Sequence, residues 1–579
     1  YKSIQLKFFM FKEDLIKALS EKTRLKKEEV EILIEIPPRS ELGDYSFPCF
    51  VLSKKEKKDP KKIAENLKEE LLKKKLKNFE KITSLGPYVN FFIDKKTLTE
   101  NIIKVNSNYG KSSIGKKKVI CVDFSQPNLG KPMHVGHIRS TIIGDSMMRI
   151  YDFLDYNPIG INYLGDIGLH IGKLIVAYEL WLDKENLKKD PVGELLRLYV
   201  KFCGKEKSKV TEGMEEEFQD NEWTNKAKEK LRLLELGDKN ATKIWKEIQD
   251  HSLKGFKKVY DLLKVDFNDW KGQSHFSEKG KEIVINALKN GIAKREEDGA
   301  VYIEFENPNT KEKIKKYILR SNQTASYITQ DLGAVVERKK KYKFDKMIYV
   351  VDSRQEDHFK ALFSILRILG YDFTDKMHHL KFGTVRFGKE IQATREGNVI
   401  MLEDVLAKTI EKAALEINKR KTKGDPRKVG VGAIKYLILK NEPIKDVEFS
   451  WDAALSFEGN TGPYLQYSYA RASSIIKKAD KENFNKKIKK IDNLDEYEIN
   501  LVKKISEFPD IVILAEKNMN PSLIANYSYE LAKTFNEFYH NCPVIGSPKE
   551  SLRLRIIDSF RTTMKNALHL LGIEVMEEM

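Results

Sequence analysis

The stretch "VICVDFSQPNLGKPMHVGHIRSTIIGDSMMRIYDFL", residues 119–154, decides how the chain is read. "VICVDF" is a short, nearly continuous apolar run, the pattern of a strand buried on both faces. A loop with proline and glycine follows. Then Ile138, Ile142, Ile150, Tyr151 and Leu154 recur at helical spacing. Strand, loop and helix in that order open a βα unit. Ligands of an open α/β sheet sit at the carboxyl ends of its strands, where this loop falls. The loop carries Lys131, and His134 and His137 enclose Gly136 where the helix begins.

Paired imidazoles have three ordinary uses. As metal ligands they need a third partner, and no carboxylate or cysteine stands at a recognisable spacing. As core residues they would sit oddly in a short polar loop. As phosphate ligands they gain from a helix N-terminus, which offers N–H groups and a positive dipole end. Gly136 lets a ligand come close to the backbone.

Outward from this unit, "PIGINYLG" (158–165), "KMIYVVD" (346–352) and "LKFGTVRF" (380–387) read as further strands with helices between them. The pattern is α/β with a mainly parallel sheet. Residues 180–260 interrupt it with charged, helix-favouring sequence. After about residue 405 long amphipathic segments run to Met579, which predicts a helical C-terminal domain. Residues 1 to about 110 read as a separate α+β unit. It has an early helix ("KEDLIKALSEK"), an alternating strand-like stretch at 30–36 ("VEILIEI"), a lysine-rich helix at 60–77 and a strand at 88–93 ("YVNFFI"). "NSNYGKSSIGKKK" (106–118) reads as a linker. The expected division is 1–112, 113–405 and 406–579.

A chain of 579 residues exceeds one core; at ~100–200 residues per domain it holds several units. No apolar run approaches the ~18 residues of a membrane helix, and no signal-peptide pattern is visible. Cytoplasm is the default expectation, although a chain starting at Tyr1 is compatible with a trimmed targeting segment. The four cysteines, at 49, 121, 203 and 542, lack metal spacing and fit a reducing compartment. The net charge of +18 favours a polyanionic partner, while runs such as "KKEKKDPKK" also read as solvated faces.

H-x-G-H after a first strand resembles the "HIGH" signature of class I aminoacyl-tRNA synthetases. The longer text narrows this. "SQPNLGKPMHVGHIRSTIIGD", "NYLGDIG", "YITQDLGA", "IYVVDSRQEDHFKALF", "FEGNTGPYLQYSYAR" and "LHLLGIEVMEEM" occur in the order seen in arginyl-tRNA synthetases. "LGDYSFPCF" and "LGPYVNFFID" resemble that family's extra N-terminal domain. The resemblance implies a Rossmann-type catalytic domain, an N-terminal α+β domain and an all-α anticodon-binding domain. It implies two reactions: activation of L-arginine by ATP to an adenylate, then transfer to the terminal 2′-hydroxyl of tRNA(Arg). Mg²⁺ would bridge ATP phosphates rather than occupy a protein cage.

The same resemblance assigns residues. His134, Gly136, His137, His358, Val385, Thr394 and Arg395 match ATP contacts. Gln126, Asn128, Gln273, Tyr327, Asp331 and Gln355 match arginine contacts. Tyr464, Tyr467, Tyr539 and Met579 match anticodon-side contacts, and Lys54–Lys62 belongs to the domain that meets the tRNA elbow. Two departures stand out. In "IQATREGN" (391–398) Glu396 replaces the usual lysine of the second class I signature. Lys131 stands where some arginyl enzymes lacking that lysine carry one, so the expectation is that Lys131 supplies the charge, with Arg395 assisting. In "GQS" (272–274) Gln273 replaces a glutamate, which leaves Asp331 as the principal counter-charge. Tyr327 and Asp331 are four apart on an expected helix and share a face. A guanidinium leaving water needs such a carboxylate. Two rivals remain: a synthetase for another amino acid, and an inactive RNA-binding paralogue.

Overall fold

Four strands carry the site. β1 (Val119–Asp123), β2 (Asn157–Ile161), β3 (Lys346–Asp352) and β4 (Met377–Phe382) form one parallel sheet in the order β4-β3-β1-β2. The computed structural model describes residues 9–35, 37, 39–74, 76–207, 221–306, 312–321, 324–387, 401–479, 484, 488 and 491–579. Helix α1 (Val135–Phe153) joins β1 to β2, and the chain then returns to the other side of β1 to lay down β3. The strand order therefore reverses between β1 and β3. A crevice opens at the carboxyl ends of such a pair.

Burial explains the apolar runs. Ile120, Cys121 and Val122 of β1 are buried, as are Met347, Ile348 and Val350 of β3. Helices α6 (Tyr327–Tyr342) and α7 (Glu356–Ile368) supply Leu332, Val335, Phe359 and Leu362 to the core on the face of Cys121 and Met347. The stretch 158–165 leaves the sheet after Ile161. The stretch 380–387 is two strands, not one. β4 ends at Phe382, and β5 (Val385–Phe387) pairs in parallel with β6 (Val447–Phe449). At the break the Gly383 N–H donates to the Pro443 carbonyl at 3.0 Å and the Thr384 N–H to Asp446 Oδ1 at 2.8 Å.

Helix α2 (Leu169–Trp181) leads into the 180–260 stretch, whose described residues are mostly helical: α3 (Pro191–Lys207), Glu222–Glu235 and α4 (Lys239–Leu263). Helix α5 (Gln273–Lys289) leads into a small antiparallel sheet of Lys294–Arg295, Val301–Glu306 and Lys313–Leu319. Contacts group residues 113–416 and 429–455 as one compact unit.

The other unit comprises 1–112, 417–428 and 456–579. Its N-terminal part has helices Phe9–Thr23 and Pro60–Lys73 and a three-stranded antiparallel sheet of Tyr45–Pro48, Tyr88–Ile93 and Phe79–Leu85. The alternating stretch at 30–36 is not a strand over its first half: Lys27–Leu33 is a helix. Val30 and Ile34, four apart, are 0% and 7% exposed, while Ile32 between them is 83% exposed. The helical period is the one that is buried, and Glu29 closes the turn by accepting the Lys26 N–H at 2.8 Å. The C-terminal part is helical: Gly462–Lys478, Glu496–Ser506, Phe508–Lys517, Ser522–Asn541 and Glu550–Leu570. Among the described residues no helix is long and apolar enough to cross a membrane.

Candidate active site

The loop after β1 is strained and heavily tied. Ser125 and Gln126 have φ of 75° and 55°, a region that costs non-glycine residues about 1–3 kcal/mol each. The Ser125 N–H donates to Ser140 Oγ at 2.9 Å, and Ser125 Oγ contacts Thr141 Oγ1 at 2.8 Å and the Tyr260 hydroxyl at 2.7 Å. Ser140 in turn donates to the Val350 carbonyl at 2.7 Å. Sheet, α1 and the insertion thus fix one loop conformation.

His134 caps helix α1. Its Nδ1 accepts the Gly136 N–H at 3.0 Å, and Nδ1 of His137 accepts the His134 N–H at 3.2 Å. Both Nδ1 atoms are therefore acceptors, which leaves the proton of each neutral ring on Nε2. A Cβ on residue 136 would lie 2.6 Å from His134 Cε1, so glycine makes room for the cap itself. The first-turn N–H groups expected to face a ligand are partly spent: Gly136 on the ring, and His137 on the His134 carbonyl at 2.9 Å. The two Nε2–H groups are further donors at this helix end.

Both rings stay neutral well below physiological pH. Burial, and then the charge of Lys131, push His134 down from 6.5 to about 4. Burial and His134 hold His137 well below its ordinary range, and burial with Lys131 brings His170 to about 4. The unfolded chain takes up these protons below about pH 6.5, before the folded one does. Stability conferred by these groups is full above that pH and falls toward pH 4. Thermal melts between pH 7.5 and 4.5 should show this decline, with a shallower slope for a His134→Asn/His137→Asn double variant. Equal slopes would refute the assignment.

Lys131 lies on the same loop, its ammonium 4.3 Å from the centroid of the Tyr199 ring. Asn128 is exposed and bridges Gly165, whose carbonyl accepts the Leu129 N–H at 3.0 Å. Gln355, exposed, and His358 follow β3 across the crevice.

The residues matched to arginine by resemblance include Tyr327 and Asp331 of α6. Asp331 Oδ2 lies 2.6 Å from His358 Nε2, so the imidazole matched to ATP by resemblance meets the carboxylate matched to the guanidinium. Tyr327, one turn earlier, is 54% exposed. Below them Arg338 pairs with Asp123 at 2.7 Å, both fully buried, and its guanidinium lies 4.8 Å from the Tyr163 ring centroid. Burial opposes the charge on Arg338, but Asp123 outweighs it and holds the group charged. Gln126 Nε2 donates to the other Asp123 oxygen at 2.7 Å. Gln273 Oε1 is buried with no hydrogen-bond partner among the described residues. Val385 lies in β5. Thr394, Arg395, Glu396 and Gly397 lie outside the described residues. Among the described residues no three His, Cys, Asp or Glu side chains group as metal ligands.

The catalytic-domain profile of the class I (R) tRNA synthetases matches residues 98–451. The arginyl tRNA synthetase N-terminal domain matches 10–93, and the DALR anticodon binding domain 465–579. The arginine–tRNA ligase of Clostridium beijerinckii is 39% identical over 581 residues, covering 98% of this chain and 100% of that protein. The chain belongs to the arginyl-tRNA synthetases. The solved arginyl-tRNA synthetase of Plasmodium falciparum has a TM-score of 0.80 at 26% identity, covering 100% of both chains. That of Thermus thermophilus has a TM-score of 0.80 at 24% identity over 98% and 99%, a likeness of fold. The expected fold class holds: a class I catalytic domain with an N-terminal α+β domain and a helical C-terminal domain.

In this synthetase the C-terminal tyrosines converge. Arg471 lies 4.7 Å from the Tyr467 ring centroid and 5.1 Å from that of Tyr539. It donates to the Tyr467 hydroxyl at 2.9 Å and to Asn536 Oδ1 at 2.8 Å, and Asn536 donates to the Tyr464 hydroxyl at 2.7 Å. The segment ending at Met579 is held to the same helix through Tyr469 and Glu577 at 2.8 Å. Sequence reasoning missed Asp123, Tyr163, Arg338 and Tyr199. Arg338 stands seven residues after Asp331, a helical repeat that could have drawn attention; the others carry no local signal.

Proposed function

We propose that the chain joins L-arginine to tRNA(Arg) in two steps that consume ATP. The arginine carboxylate attacks the α-phosphate, and pyrophosphate leaves as arginyl-adenylate forms. The terminal ribose 2′-hydroxyl of the tRNA then attacks the adenylate carbonyl, and AMP leaves. No protein nucleophile is needed; the residues position the reactants and stabilise charge. His134 and His137 donate Nε2–H to ATP oxygens, and ATP brings its Mg²⁺ as part of the substrate. Lys131 adds positive charge where Glu396 supplies none, with Arg395 and Thr394 assisting. Gly136, Val385 and His358 complete the ATP side.

Asp331 is the counter-charge of the guanidinium. Tyr327 packs beside it, and the unpartnered Gln273 Oε1 is an acceptor for a guanidinium N–H. Gln126, Asn128 and Gln355 hold the substrate amino and carboxylate groups. Tyr464, Tyr467, Tyr539 and Met579 meet the anticodon loop, where unstacked bases commonly lie on aromatic rings. Residues 1–112 contact the tRNA body. The cytoplasm is the proposed location.

The observation that carries this reading is the joint placement of two neutral, donor-bearing imidazoles and the Asp331 carboxylate in one catalytic unit built around a strand-order switch. Radiolabelled arginine with total tRNA tests it. Arginine should be charged and lysine not, because lysine lacks the planar fork. Pyrophosphate exchange should be weak until tRNA(Arg) is added. A folded protein that charges nothing but binds tRNA would favour the inactive paralogue, and strong tRNA-free exchange would contradict the reading.

A further inference from the structure

Three helices meet the loop at Gly130 and Lys131, α2 and two from the 180–260 stretch. Gly130 has φ of 72°, and a Cβ there would lie 2.0 Å from Leu174 Cδ1 of α2. Its N–H donates to Ser252 Oγ of α4 at 2.8 Å. The third helix, α3, brings Tyr199 under the ammonium, with the residue 9% exposed and the ring centroid 4.3 Å away. Leu195, Leu198 and Phe202 on the same helix are buried, so the ring rests on a packed support.

We propose that Tyr199 is a positioning residue for the charge of Lys131, setting where the ammonium stands relative to the phosphates of ATP. The proposal rests on the reading of Lys131 as the source of charge that Glu396 does not supply. A lysine stem is long and flexible, so its charge needs a fixed seat to act at a defined point. An aromatic face attracts the ammonium through its quadrupole and adds no net charge of its own. The field of Lys131 reaches the paired imidazoles, since it contributes to the lowering of both His134 and His137. The insertion thereby takes part in activation.

The full-length protein tests this in arginine-dependent ATP–pyrophosphate exchange with tRNA present. Tyr199→Leu should lower kcat by about tenfold, with the arginine KM unchanged. Tyr199→Phe keeps the ring face and should restore the rate. In a Lys131→Ala background, Tyr199→Leu should cost nothing further. A full loss persisting in that background would make Tyr199 a packing residue and overturn the proposal. So would Tyr199→Phe falling as low as Tyr199→Leu, which would assign the effect to the hydroxyl. If Lys131→Ala itself leaves exchange intact, the reading of Lys131 fails and the proposal with it. A slow Lys131→Ala with additive Tyr199→Leu removes the proposal alone.

Discussion

Lys131→Ala is expected to lower tRNA-dependent ATP–pyrophosphate exchange by about 100- to 1,000-fold. That is the usual effect of removing one well-placed donor from a developing negative charge. The charge on pyrophosphate grows as the α-phosphate is attacked, so the loss belongs in kcat rather than in the arginine KM. His134 and His137 cannot compensate, because burial keeps both neutral. They can donate hydrogen bonds but contribute no full charge. Transfer from preformed arginyl-adenylate involves no pyrophosphate and should keep its rate. Lys131→Arg retains the charge on a different geometry and should fall between the two. An Ala variant with unchanged exchange would show that the charge comes from elsewhere.

The parts legible in the sequence were those with a local period or a short motif. The run at 346–352 and the helix after His137 could be read because buried strands and amphipathic helices write their burial into consecutive residues. "VEILIEI" misled because Val30, Ile32 and Ile34 fit a period of two as well as a helix that buries only the first and last. The break inside 380–387 was hidden because the partner of Thr384 there is Asp446, 62 residues away in sequence. The same distinction holds at the site. His134 and His137 announce themselves by spacing, but their Nδ1 acceptor roles come from backbone geometry that no spacing states. Tyr163 and Arg338 meet only in the fold, a guanidinium 4.8 Å from a ring centroid and 175 residues apart in sequence, and Tyr199 reaches Lys131 from a stretch whose sequence reads as charged helix.

Asp331→Asn should lower kcat/KM for arginine by about 100- to 1,000-fold, mostly through KM, because a desolvated guanidinium would lose its full counter-charge. The loss should exceed the usual one for this family's chemistry because Gln273 offers only an amide where a second carboxylate would share the load. The ATP KM should shift less than the arginine KM, and through His358, which lies 2.6 Å from Asp331. The change is nearly isosteric, and Arg338 keeps its own partner in Asp123 at 2.7 Å, so the core beneath should persist and the melting temperature should stay close to that of the parent. Gln273→Glu supplies the separating measurement. It returns a carboxylate to a position whose side-chain oxygen is buried and unpartnered, so it should partly rescue Asp331→Asn at saturating ATP. An Asp331→Asn protein with an unchanged arginine KM would remove α6 from arginine recognition. Rescue by Gln273→Glu would place the two side chains on the same guanidinium, which neither single variant can establish.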